Sequence, residues 1–281
     1  MAMFAHQSYR AALSLLLLLA VTPCTAQQAA PTIDAVLARV RENISEFKKS
    51  VPGFVSDESA LSQRFVNNKL KEEMKIESSF EVKRRGGTGD MLETRTTKLV
   101  DGKTPKNQKI EPPYFYRGGF ADALGSVDSK CLAYSLGEAP DTDKTILILS
   151  TPKPVSSDRP AECHFSPSFS MKAFVDPQTF QIIRLEYTVQ DVDVDMGIRG
   201  HIPFVAYVTS RDNVSTFIAE YAPVELGSKT YWLPKTVISD LKDKDDRKNP
   251  VHLRYEAHYA NYHKFAVSST ILPGEVVQTQ N

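Results

Sequence analysis

The strongest constraint on this chain is a strict alternation near its C-terminal end. Val251, Leu253, Tyr255, Ala257 and Tyr259 fall on one side of a period-two repeat, and His252, Arg254, Glu256 and His258 fall on the other. That pattern predicts a strand with one covered face, within a segment running from Val251 to Val267. The preceding segments read as its partners. Met74, Ile76, Phe80 and Val82 alternate with Lys75, Glu77, Glu81 and Lys83, and Arg85-Gly86-Gly87-Thr88-Gly89-Asp90 turns the chain into a further strand, Leu92 to Val100. Those glycines lie between two strands, whereas a phosphate cradle requires a strand leading into a helix.

Phe169, Met171, Ala173 and Val175 alternate up to the turn Asp176-Pro177-Gln178-Thr179, and Ile183, Leu185, Tyr187 and Val189 alternate away from it. Thr216 to Leu226 and Tyr231 to Leu241 read as a hairpin across Gly227-Ser228. Ile146 to Leu149 reads as a short strand buried on both sides. Phe54 to Asn68 shows no clear period. Only one substantial helix is predicted: from Thr32, the residues Ile33, Val36, Leu37, Val40, Ile44 and Phe47 recur at helical spacing, and Pro52-Gly53 stops the run. The apolar stripe either covers the sheet or borders a hollow that the helix opens. Consecutive strands without a strand-helix rhythm predict a mainly β (α+β) fold, a curved antiparallel sheet or incomplete barrel packed against an N-terminal helix.

Arg10, the apolar run Ala11 to Val21 and the small residues around Cys24-Thr25-Ala26 read as a secretory signal, residues 1–26, cleaved before Gln27. The run is too short to span about 30 Å of hydrocarbon, so no transmembrane anchor is expected after cleavage. Residues 27–281 then form a single exported β-rich domain, periplasmic or secreted. Cleavage removes one of the 34 basic residues and none of the 34 acidic ones, which leaves no basic excess for nucleic acid. It also leaves two of the three cysteines, Cys131 and Cys163, in an oxidising compartment, and these are expected to form a disulfide.

No motif for a reaction accompanies the strands, and the chain reads as a non-enzyme without cofactor or metal. Asp191, Asp193 and Asp195 alternate as calcium ligands can. However, the glycine that follows them is at the seventh position of the loop and Ile202 occupies the twelfth, which favours a solvated edge. The apolar phase also breaks there, which predicts a bulge or break near Gln190. His252 and His258 are separated by roughly 20 Å of extended chain and cannot share one metal on an intact strand. Tyr114-Phe115-Tyr116-Arg117-Gly118-Gly119-Phe120 places aromatics on both sides of a Gly-Gly pair, and the spacing of Phe120 and Leu124 favours a short helix capping the core over a ligand site. Asn43-Ile44-Ser45 and Asn213-Val214-Ser215 match the glycosylation acceptor pattern.

Tyr231-Trp232-Leu233-Pro234-Lys235, an acidic turn, the Tyr255 strand, Asn261-Tyr262-His263-Lys264-Phe265 and Ile271-Leu272-Pro273-Gly274-Glu275-Val276 are similar to the closing strands of periplasmic lipoprotein carriers of the LolA/LolB type. The resemblance spans about fifty residues, well short of a domain. It implies an incomplete barrel with helices in its mouth that holds acyl chains. The leading expectation is therefore an exported carrier with a hydrophobic groove for a lipid or lipoprotein acyl chain, with Trp232, Leu233, Tyr255 and Tyr259 as wall candidates. The alternative is an envelope protein with a filled core that binds another envelope protein, and an unrecognised hydrolase comes third.

Overall fold

The computed structural model describes residues 31–84, 91–106, 130–139, 145–154, 166–190, 213–243 and 250–265, together with Val127 and Cys163. The signal segment, the Gly86-Gly87 turn, the Tyr114–Phe120 aromatics, the Asp191–Asp195 carboxylates and the Ile271–Val276 part of the resemblance lie outside the described residues.

Helix α1 (Ile33–Ser50) begins where Thr32, in extended conformation, accepts a hydrogen bond from the Ala35 amide at 3.3 Å. Asp34 in the first turn and Lys48 and Lys49 in the last complement the helix dipole. The Val51 amide donates to the Phe47 carbonyl at 2.9 Å, and Pro52 ends the run. At Gly53 a side chain would place its Cβ 3.2 Å from the Val82 carbonyl, so the chain passes closest to its neighbour where no Cβ exists.

Among the described residues ten strands follow: β1 (Phe54–Val66), β2 (Lys69–Arg84), β3 (Met91–Val100), β4 (Leu132–Gly137), β5 (Ile146–Pro152), β6 (Ser170–Val175), β7 (Ile182–Gln190), β8 (Asn213–Leu226), β9 (Lys229–Asp243) and β10 (Val251–Lys264). They form one antiparallel sheet in the order β3-β2-β1-β10-β9-β8-β7-β6-β5-β4, open at the β3 and β4 edges. The expected antiparallel sheet with an N-terminal helix is present, and the sheet is not closed into a barrel. β10 pairs with both β9 and β1, and so ties the N-terminal strands to the C-terminal hairpin.

Opposed residues of antiparallel strands share a face, so the register defines the core directly. One row runs Ile76, Ala60, Ala257, Val237, Ala219, Leu185, Ala173 and Ile148 across eight strands, and all are buried. The adjacent row includes Ser62, Tyr255, Ser239, Phe217, Tyr187 and Met171, also buried. The opposite face carries charge, with Arg184 bonded to Glu186 and Glu220, and Arg254 bonded to Asp240 and Glu256. His252 and His258 lie on that face with separate carboxylate partners, Asp240 at 2.6 Å and Glu256 at 3.1 Å.

Three local features differ from the periodic reading. Phe54–Val66 is a full strand, and Asn67 and Asn68, both at positive φ, form its two-residue turn into β2. A register shift beside Val175 puts Ile182 in the buried set and leaves Ile183 half-buried. The expected double burial of Ile146 to Leu149 is confined to its middle pair, Leu147 and Ile148. Cys131 and Cys163 are joined, with Cα atoms 5.4 Å apart. No helix among the described residues is long and apolar enough to cross a membrane.

Candidate functional site

Two parts of the buried face depart from a plain apolar core. The first lies under β3, β2, β1 and β10. Glu58 is 2% exposed in the middle of β1, on the covered face that it shares with Tyr259 by register. An ionised carboxylate survives there only if donors surround it. Arg95 of β3 supplies them, its Nε donating to the two carboxylate oxygens at 2.8 and 3.1 Å. The Tyr259 hydroxyl donates to Glu58 at 2.8 Å and the Tyr255 hydroxyl reaches the same oxygen at 3.5 Å, while Arg95 Nη2 donates to the Tyr259 oxygen at 3.3 Å. The guanidinium also stacks 4.6 Å from the Phe80 ring centre.

Burial pushes both tyrosine pKa values up, and the Glu58 charge pushes in the same direction, so the hydroxyls stay protonated and donate. For Arg95, burial works against the charged form. The Tyr259 oxygen and the Glu58 carboxylate outweigh it and hold the guanidinium above its ordinary range. This cluster is closed and mutually satisfied, and it fastens the β3 edge to the central strand β10.

The second part lies where α1 meets the far end of β7, β8 and β9. Val36, Leu37, Val40 and Ile44 are buried along the helix, each worth about 1.5–3 kcal/mol of removed apolar surface. Polar ties fix the helix: Asn43 Nδ2 donates to the Thr179 carbonyl at 2.9 Å, and the Tyr231 hydroxyl donates to the Ser50 carbonyl at 2.9 Å, satisfying an orphan acceptor of the last turn. Phe47 meets Tyr231 edge-on at 6.4 Å.

The stripe is seated in the core, with a small cleft beside it. Val40, Asn43, Ile44 and Phe47 of the helix, Phe180, Gln181 and Ile182, Tyr221 of β8 and Trp232 of β9 line this cleft of about 20 Å³, room for a single water. Trp232 is the sole tryptophan in the chain. Its place follows from Pro234, which has no amide for the ladder. The β8–β9 register shifts between Glu220 and Tyr221, where Glu220 pairs with Thr236 and Tyr221 with Pro234. Beyond the shift Trp232 lines the cleft while Tyr231, Leu233 and Pro234 are buried.

Tyr221 is 5% exposed, and among the described residues its hydroxyl has no hydrogen-bond partner. Burial raises its pKa well above the usual phenol range, helped by Tyr187, Glu93 and Tyr262.

The four wall candidates thus fall in three places. Trp232 lines the cleft, and Leu233, next to it in β9, is fully buried. Tyr255 and Tyr259 belong to the Glu58 cluster. Sequence reasoning did not single out Glu58, Arg95 or Tyr221. A carboxylate in an otherwise small and apolar alternation, Phe54-Ser56-Glu58-Ala60-Ser62, is the signal that marks Glu58.

No family model matches the chain, and no curated protein matches it. Among solved structures it is similar to a DUF1329 family protein from Desulfovibrio piger ATCC 29098, with 10% identity and a TM-score of 0.42, covering 85% of this chain and 96% of that one.

Proposed function

We propose that the protein is an exported carrier, periplasmic or secreted, that holds a hydrophobic ligand of the lipid or acyl type in the cleft beneath α1. One observation carries this reading: uncharged side chains of α1, β8 and β9 line a small cleft at the junction of helix and sheet, which a ligand would have to enlarge. The binding role needs no reaction, and the resemblance of the C-terminal strands to lipoprotein carriers points the same way.

The second reading, an envelope interaction protein with a filled core, draws its support from Leu233, Tyr255 and Tyr259, all packed into the core. Native mass spectrometry of protein purified from its own compartment separates the two. A carrier retains lipid of defined mass, and release of that lipid alters Trp232 emission. Protein that is lipid-free on isolation and indifferent to added fatty-acyl probes favours the interaction module.

A further inference from the structure

The two edges of the sheet are finished differently. β4 is only six residues long, and one end of it is tied down, where the Lys153 amide donates to the Cys131 carbonyl at 2.9 Å beside the Cys131–Cys163 disulfide. β3 runs for ten residues, and among the described residues it pairs with β2 alone. A long edge offers a row of backbone donors and acceptors to any other strand, and proteins usually block it with a proline, an outward lysine or a bulge.

β3 contains neither proline nor glycine. Its two basic side chains are turned back over the sheet: Arg95 bonds Glu58, and Lys98 crosses β2 to bond Asp57 of β1 at 2.8 Å. Its register shift lies at Lys98, where Glu77 pairs with Leu99 and Ser78 with Thr97. Residues 91–97 are therefore left as a regular stretch, and their outer-face side chains, Leu92, Thr94 and Thr96, are exposed.

We infer that this edge is an interface between two copies of the chain, in which β3 pairs antiparallel with β3 of a second copy about a two-fold axis through Thr94. Two observations choose that register. A strand paired with itself keeps its covered face on the covered side only when the axis passes through a residue, and Thr94 is the centre of the regular stretch, so every residue in it finds a partner before the bulge intervenes. On the covered face the same register sets Glu93 opposite the partner's Arg95 on both sides of the axis, whereas an axis through Arg95 would set like charges opposite each other. The inference does not use the cleft beneath α1, and it stands or falls apart from the carrier reading.

Sedimentation velocity of the mature protein at about 1 to 300 µM tests it, because an interface of one strand pair is small and its dimer is expected to be micromolar or weaker. The sedimentation coefficient should rise with concentration toward that of a dimer. Thr94→Lys, at an exposed position on the axis, brings two ammonium groups together and should hold the protein monomeric throughout, with an unaltered near-ultraviolet circular dichroism spectrum confirming the fold. Thr94→Cys should form a covalent dimer on mild oxidation, because opposed Cα atoms lie about 4.5–5.5 Å apart, within disulfide reach. Leu92→Cys should not, since the two copies of that position are offset by roughly 13 Å along the strands. A wild-type protein that stays monomeric at the highest concentration overturns the inference, as does a dimer that survives Thr94→Lys or that cross-links through Leu92→Cys in place of Thr94→Cys.

Discussion

The two ends of the buried face differ in the charge that they bury. Under β3, β2, β1 and β10, Glu58 is more deeply buried than Tyr221, and each of its oxygens accepts from Arg95 or a tyrosine. Three buried hydroxyls have no hydrogen-bond partner among the described residues: Tyr221 beneath α1, Ser56 of β1 and Ser150 of β5. Folding economics explain the buried charge: a buried ion is tolerated when its hydrogen bonds are complete, and the completed cluster fixes the edge strand at one register. They do not explain the unpaired Tyr221 hydroxyl, because replacing that tyrosine by phenylalanine would remove the orphan group at no cost in packing. The charged end holds the sheet together, and the helix end is where we propose that a ligand binds.

Substitutions at the two ends should differ widely in cost. Glu58→Ala should have the largest effect, about 3–5 kcal/mol lost in denaturant unfolding, because it leaves Arg95 buried without its carboxylate. Adding Arg95→Met should recover part of that loss. A loss under about 1 kcal/mol for Glu58→Ala would show that the cluster does not hold the sheet.

Tyr259→Phe removes a 2.8 Å bond to a carboxylate and should cost about 1.5–3 kcal/mol. Tyr255→Phe, whose bond to Glu58 is 3.5 Å, should cost less.

Alkaline titration probes both ends at once. Tyr221, Tyr255, Tyr259 and Tyr262 all have folded-state pKa values raised by burial. In the unfolded chain they lose protons near pH ~10, so the unfolded state binds fewer protons above that point. The stabilisation is complete below pH ~10 and falls as pH rises, by about 1.4 kcal/mol per pH unit for each tyrosine. Unfolding free energies measured between about pH 9 and 11 should show that decline, and Tyr221→Phe should make it shallower. A flat profile over that range would mean the tyrosines ionise as readily folded as unfolded.

The smallest effect should be Tyr221→Phe at neutral pH, within about 0.5 kcal/mol of wild type or slightly stabilising. A clear loss in thermal unfolding would reveal a structural partner for that hydroxyl.

The fold was legible where one face of a strand is apolar and the other wet, as in β2, β6, β8, β9 and β10, and in α1 with its cap and stop signals. β1 was not, because its covered face carries Ser56, Glu58 and Ser62, so a real period of two leaves no hydrophobic trace. The Asn67-Asn68 pair was the overlooked turn signal, since asparagine adopts positive φ at modest cost. The choice of Ile182 over Ile183 required the register shift in the β6–β7 hairpin, which no single-strand pattern contains.

The Glu58 cluster joins residues from β1, β3 and β10, and only the sheet order brings β10 beside β1. The cleft was half legible. The helix stripe and Trp232 could be read from spacing and motif, whereas Tyr221 is one tyrosine among eleven until its missing partner is seen.

Trp232 emission provides the most direct test of the central claim, because this sole tryptophan lies in the cleft and away from the Glu58 cluster. Titration of the delipidated, folded protein with methyl dodecanoate should change the intensity or wavelength of that emission saturably, with Glu58 and its partners undisturbed. Emission that stays constant while the probe remains soluble would contradict binding beneath α1 and leave the protein a sheet with a filled core.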